Sequence, residues 1–222
     1  MPAAVKNKTQ KNRDTRERLL VTALNLYAKE GLHGVSLRRI AVEAGSKNSA
    51  AMHYHFDNKL GVIRALVKMI ARELTRLDTE LRAEARTEKE TRPALQAGFR
   101  QTLLPLLRLT DSQPWGADAV HFLSRLVSDG DEEIAAMINE VYAPFWRHTD
   151  KALASEFPGL PTPVRQLRLL FMTTTVIHGV AEADWLRYPP LGNASNVDPE
   201  ELLDHLVDYL IGGLKAPSLA VT

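Results

Sequence analysis

The chain has 222 residues, 28 Lys and Arg against 27 Asp and Glu, and no cysteine. The length suits one to two domains with a self-sufficient core. The missing thiols exclude disulfides, cysteine nucleophiles and thiolate zinc sites. With 45% hydrophobic and 25% charged residues the composition is that of a folded globular protein, and 12 Gly and 12 Pro are too few for a turn-rich all-β fold.

The near-neutral total hides an asymmetry. Residues 1–72 carry 14 basic against 5 acidic residues, a balance of +9; residues 73–222 carry 14 against 22, a balance of −8. A basic front on an acidic body fits one end that meets a polyanion. A solvated basic helix face would give the same count, so the decision passes to what this segment folds into.

In chain order, residues 1–12 are polar and basic without period and read as a flexible basic arm. From Arg13 to Glu30 the apolar residues Leu20, Leu24 and Tyr27 recur at helical spacing, and Gly31 ends the helix. Ser36 caps a second, short helix carrying Leu37, Ile40, Ala41 and Ala44, which Gly45 stops. After Ser46 to Ser49 comes a third short helix to about His55, and Asp57 or Asn58 caps a fourth. Three short helices with a glycine-containing turn have the pattern of a helix-turn-helix, here 13–58. The fourth helix, 58–86, carries Leu60, Ile63, Val67, Ile70, Leu74, Leu77 and Leu81 as one seam. Further helices are expected at 91–109, 115–129, 131–156, 162–188 and 198–213, with Asp198-Pro199 as a strong start. The fold class is all-α with about nine helices, and residues 59–222 form the ligand-binding and dimerisation domain.

The start of the second helix of a helix-turn-helix enters the major groove of DNA. Lys47, Asn48, Ser49 and Ala50 hold that position: the Asn and Ser can read base edges, the Ala can touch a thymine methyl, and the Lys suits phosphate. His53, Tyr54 and His55 follow, Lys59 suits a phosphate, and Arg38 and Arg39 lie off the apolar face of the second helix. Phe56 reads as a core plug.

These residues carry a resemblance. Arg16 to Leu20, Leu26 to Gly31, Val35 to Ala41, Ala44-Gly45 and Tyr54 to Lys59 resemble the N-terminal domain of TetR-family transcriptional regulators, over about residues 13–66. The resemblance implies a homodimer of nine-helix subunits, usually a repressor, released from an operator by a small-molecule effector. Paired helix-turn-helix heads would take the two halves of a palindrome, and an opening without a signal-peptide core leads to the expectation of a cytoplasmic protein. The resemblance implicates Ser36, Arg38, Lys47 to Ala50, Tyr54, His55 and Lys59 in DNA contact. The chain departs from the commoner pattern in having His53 three residues before Phe56 with Tyr54 one later, and one extra residue between Gly45 and Phe56.

In the acidic body, the helix at 162–188 offers Leu167, Phe171, Thr174, His178, Ala181 and Trp185 on one face. The last helix offers Leu202, Leu206, Tyr209 and Leu210. Packed against their symmetry mates these would make a four-helix dimer interface, as the resemblance implies; each stripe also has to serve its own core. Pro105 and Pro144 fall inside helices and remove hydrogen bonds to the carbonyls of Gln101 and Glu140. Around them Phe99, Leu103, Trp115, His121, Phe122, Arg125, Met137, Tyr142, Phe145, Trp146 and Met172 could line a largely apolar ligand pocket, or be ordinary core. Phe122 to Asp129, Glu140 to Arg147 and Pro161 to Thr175 resemble fatty-acid or acyl-thioester sensors of the family.

No metal, cofactor or phosphate-loop motif occurs, and no stretch is long and apolar enough to span a bilayer. Two other readings stay open. One is an α-helical enzyme using His121, Arg125 and His178 on a small apolar substrate. The other is an architectural DNA binder with a solid core.

Overall fold

The computed structural model of the chain describes residues 3–46, 50–85, 92–183 and 198–217, with side chains of 3–9, 11 and 199 set aside. Among these residues it is all α-helix: α1 (Ala3–Glu30), α2 (Leu37–Glu43), α3 (Ala50–Phe56), α4 (Lys59–Ala85), α5 (Ala94–Ser112), α6 (Gly116–Asp129), α7 (Glu132–Glu156), α8 (Thr162–Ala181) and α9 (Pro199–Lys215). No helix among them is long and apolar enough to cross a membrane.

Two helix ends differ from the sequence expectation by more than three residues. α1 starts at Ala3, ten residues before Arg13. The segment has no apolar period, yet Ala, Lys and Gln favour helix and nothing from Ala3 to Arg13 breaks it; Gln10 donates to Asp14 at 2.8 Å. α8 ends at Ala181, with the N–H of Glu182 returning to the His178 carbonyl, short of the expected residue 188.

The chain forms two compact units. One comprises 1–73 and 110–141, the other 74–109 and 142–222. The first holds α1 to α3, the Lys59–Glu73 part of α4, α6 and the start of α7. Its core is Leu19, Ala23, Leu24, Tyr27, Leu32, Ile40, Met52, Ile63, Leu66, Ile70 and Phe122. Val62 and Leu66 are buried beside Ile63, Val67 and Ile70, so this part of α4 buries a face wider than one seam. α6 is bound along α1. Tyr27 stacks on Phe122 with ring centroids 6.1 Å apart, and Asn25 Nδ2 donates to Asp118 at 2.9 Å.

The second unit packs α9 on α5, with Leu203, Val207 and Ile211 against Leu95, Phe99, Leu103, Leu104 and Leu107. Leu153 of α7, Leu169 of α8 and Leu214 of α9 form an adjoining cluster that Phe99, Trp146 and Met172 cover. Ion pairs with buried arginines and partly exposed carboxylates brace it. Arg165 holds Asp150 at 2.8 Å, and Arg100 holds Asp204 at 2.6 Å and also Glu200. α9 opens with Pro199, Glu200 and Glu201, but the Asp198 side chain makes no cap hydrogen bond. Proline at the first position and acids at the dipole carry the start alone.

Candidate nucleic-acid interface

Each element of the basic end is set by a local device. Ser36 accepts the Arg39 N–H on its Oγ at 3.2 Å and starts α2. Gly45 has φ +69°, the left-handed conformation that the turn between α2 and α3 demands. Asn58, rather than Asp57, caps α4, its Oδ1 accepting the Gly61 N–H at 2.9 Å. Asp57 takes φ +67° to make the bend. Gly61 lets the first turn of α4 meet the end of α3: a Cβ there would stand 1.9 Å from the Phe56 carbonyl oxygen.

α3 divides cleanly. Met52 and Phe56, four apart, are buried, while Ala50, His53 and Tyr54 face outward. Tyr54 is 76% exposed, and its ring meets the His55 ring edge-on at 5.0 Å. His53 Nδ1 lies 2.7 Å from the Asp57 carbonyl oxygen, so one ring edge serves the helix end. Burial first, then the charge of Arg16, lowers the pKa of His55 and favours its neutral ring. Arg16 lies 5.1 Å over the Phe56 ring, a contact no sequence motif announced.

The basic residues do not all behave as expected. Arg38 and Ser36 are exposed on α2. Arg39 is paired within the protein: it donates to Glu30 at 2.6 Å and to Glu43 at 2.9 Å, and these bonds raise its pKa. It clasps α2 to the end of α1. Lys59 has its Nζ 5.9 Å from the Tyr27 ring centroid and lines a crevice with Leu32, Asp131 and Glu133. Lys47, Asn48 and Ser49 lie outside the described residues.

The pocket candidates are shared between the units. Trp115, His121, Phe122, Arg125 and Met137 belong to the first. There Phe122 and Met137 are core, whereas His121 and Arg125 are exposed on α6. Phe99, Leu103, Tyr142, Phe145, Trp146 and Met172 belong to the second. Phe99, Leu103, Trp146 and Met172 pack on its clusters, and Phe145 is 44% exposed. His178, the third group of the enzyme reading, belongs to the second unit, and His121 and Arg125 to the first.

Of the dimer candidates, Leu167, Phe171 and Tyr209 are exposed, with Leu170 beside them. Thr174, His178, Leu202 and Leu206 are half-buried. Ala181 and Leu210 are already buried in their own unit. Trp185 lies outside the described residues.

Comparison with known proteins agrees with this geometry. Residues 19–66 match the family model described as bacterial regulatory proteins, tetR family. Residues 100–213, more than half of the chain, match the tetracyclin repressor-like C-terminal domain. The fatty acid degradation regulator FadR from Bacillus halodurans superposes with a TM-score of 0.59 at 17% identity, covering 91% of this chain and 97% of that one. NalD, the secondary repressor of the MexAB-OprM multidrug efflux pump in Pseudomonas aeruginosa, gives 0.58 at 19% identity, covering 92% and 97%. Mycobacterium smegmatis AmtR gives 0.54 at 20% identity, covering 91% and 87%. No curated protein matches the chain significantly. The exposed face of α3 opposite Met52 and Phe56 and the two matched domains have one reading: this chain belongs to the TetR family and is a DNA-binding transcriptional regulator rather than an enzyme.

Proposed function

We propose that the chain is a homodimeric repressor that binds a palindromic operator through α2 and α3 and leaves it when a small, largely apolar effector enters the second unit. The observation that carries the DNA half is the outward face of α3. Tyr54 and His53 stand free of the core there, with Lys47, Asn48 and Ser49 immediately before the helix and Arg38 exposed on α2. Tyr54 and Arg38 would meet the sugar-phosphate wall, and residues 48 to 50 the base edges.

Dimerisation is supported by the bare apolar side chains of the second unit. Leu167, Leu170 and Phe171 on α8 and Tyr209 on α9 are each about half exposed or more, an arrangement that a symmetry mate would cover. The fold shared with a fatty acid degradation regulator supports an acyl compound as the effector. Its binding would shift α4, which contributes to both units, and so alter the spacing of the two α3 helices. It releases DNA only by as much as it prefers the released conformation.

Gel shifts of the full chain at stepped salt test the reading. Affinity should fall linearly on a log–log plot, and Arg38→Ala and Lys47→Ala should each reduce the slope by about one. A flat salt response, or slopes unchanged by both substitutions, would sink it.

A further inference from the structure

α1 continues past the core that it helps to build. Its buried face starts at Leu19 and Leu20 and runs through Ala23, Leu24 and Tyr27. Asn25 and Tyr27 meet α6. Further back, Arg16 lies 5.1 Å over the ring of Phe56, the last residue of α3. The helix nevertheless starts at Ala3. At 1.5 Å per residue the stretch before Arg16 is a rod about 20 Å long, leading on from the end of α3 in the direction away from the α6 contacts. Propagating a helix costs far less than starting one, so the turns held in the core allow a polar stretch to continue it.

The sequence of the rod is one-sided in charge. Residues 3–13 contain Lys6, Lys8, Lys11 and Arg13 and no acid; Asp14 is the first. Gln10, Asn12 and Arg13 are exposed. The apolar residues of the stretch, Ala3, Ala4 and Val5, stand together at its start and make no stripe along the helix. A helix without such a stripe has nothing to lay into a membrane or into the groove of a protein. Its charge suits a rigid polyanion. The outward face of α3 leads into it: the Tyr54 ring meets the His55 ring, His55 feels the charge of Arg16, and Arg16 stands where the rod begins.

We propose that residues 3–13 of α1 are a second DNA contact in each chain, in which Lys6, Lys8, Lys11 and Arg13 lie along the sugar-phosphate backbone beside the stretch that α2 and α3 cover. This rests on the reading of α2 and α3 as the operator-reading helices. Phosphates repeat identically along any duplex, so the rod adds affinity and salt dependence without choosing sequence. Selection stays with the start of α3.

The full chain is compared with the fourfold variant Lys6→Gln, Lys8→Gln, Lys11→Gln, Arg13→Gln, in which glutamine keeps the helix propensity and removes the charge. Gel shifts at stepped salt use two probes: a duplex of arbitrary sequence, and the duplex that the native chain enriches from a random pool. The slope of log affinity against log salt should fall by about 2 to 4 per bound chain on both duplexes alike, leaving their affinity ratio as it was. The melting midpoint should not change, because the buried face of α1 starts at Leu19. An unchanged slope on the arbitrary duplex overturns the proposal. So does a loss confined to the enriched duplex, which would make the rod a base reader. Native chain that sediments with phosphatidylserine vesicles, when the variant does not and the DNA slopes are equal, overturns it in favour of a membrane contact. Should the fourfold variant melt lower, Lys6→Gln with Lys8→Gln, the pair further from the core, repeats the test with half the fall expected. Should no duplex be enriched, the operator reading fails alone and the arbitrary duplex decides: a lower slope in the variant supports the rod, an equal one overturns it. A native chain that binds neither duplex overturns both.

Discussion

Asp129, in the last turn of α6, accepts the backbone N–H of Leu32 on its carboxylate at 3.2 Å. Its own carbonyl oxygen lies 3.0 Å from a His33 ring nitrogen. With Tyr27 on Phe122 and Asn25 on Asp118, α6 is fixed to α1 at three heights. The carboxylate satisfies the backbone N–H of Leu32 in the turn just beyond α1. Asp129→Ala should therefore lower stability by about 1–2 kcal/mol. Denaturant unfolding of the variant measures it; an unchanged midpoint would show that the bond contributes nothing.

Three glycines rank by what a methyl group would meet. At Gly45 nothing lies within 4 Å, so Gly45→Ala carries only the left-handed backbone cost, about 1–2 kcal/mol. At Gly31, φ +77°, the new Cβ also stands 2.7 Å from the Asp129 carboxylate, which has to swing away from Leu32. At Gly61 it stands 1.9 Å from the Phe56 carbonyl oxygen, and backbone has to move. Gly61→Ala should cost about 3 kcal/mol or more and abolish DNA binding first. Stability losses in the order Gly61, Gly31, Gly45 are expected, and another order contradicts these packing assignments.

The Tyr27 hydroxyl is buried without a partner in the first unit, and burial raises its pKa far above the ordinary value. Its ring already packs between Phe122 and Lys59. Tyr27→Phe keeps those contacts and should leave stability unchanged or raise it by up to about 1 kcal/mol, where a bonded tyrosine would lose a similar amount. Thermal melts of the pair decide the sign.

Asp150 has its pKa lowered first by the hydrogen bond from Arg165. A folded value below the unfolded one stabilises above the unfolded value near 3.8, and that contribution disappears as pH falls through the folded value. Asp150→Asn should be less stable than the native chain at neutral pH. The gap should close below about pH 4. A gap that persists into acid would mean that the pair acts through packing rather than charge.

Arg38 and Arg39 are adjacent but should differ in kind. Arg38→Ala should weaken DNA binding with little change in melting, because its side chain is exposed. Arg39→Ala should lower the melting midpoint, because it releases Glu30 and Glu43 together. Paired melting and gel-shift measurements separate the two.

The helix-turn-helix was legible because its core is local. Ile40 with Ala41, and Met52 with Phe56, repeat at helical spacing, and Gly31 and Gly45 mark the left-handed ends. The start of α1 was not legible, because residues 3–12 form helix on propensity alone. Glu30 is nine residues from Arg39 and follows no helix-neighbour rule, so their pairing needed the turn between α1 and α2. α6 joins α1 and the turn after it through residues more than ninety apart, a contact that no local spacing rule reveals. Gln101 was noticed only for the carbonyl that Pro105 deprives; nothing in the sequence tells that its side chain is buried and unpaired.

The most direct measurement of the central claim is selection of bound DNA by the full chain from a random duplex pool. Enrichment of one inverted repeat, lost in Arg38→Ala and Lys47→Ala, is the expected result. No enrichment, or enrichment that survives both substitutions, would contradict a palindrome-reading dimer that works through α2 and α3.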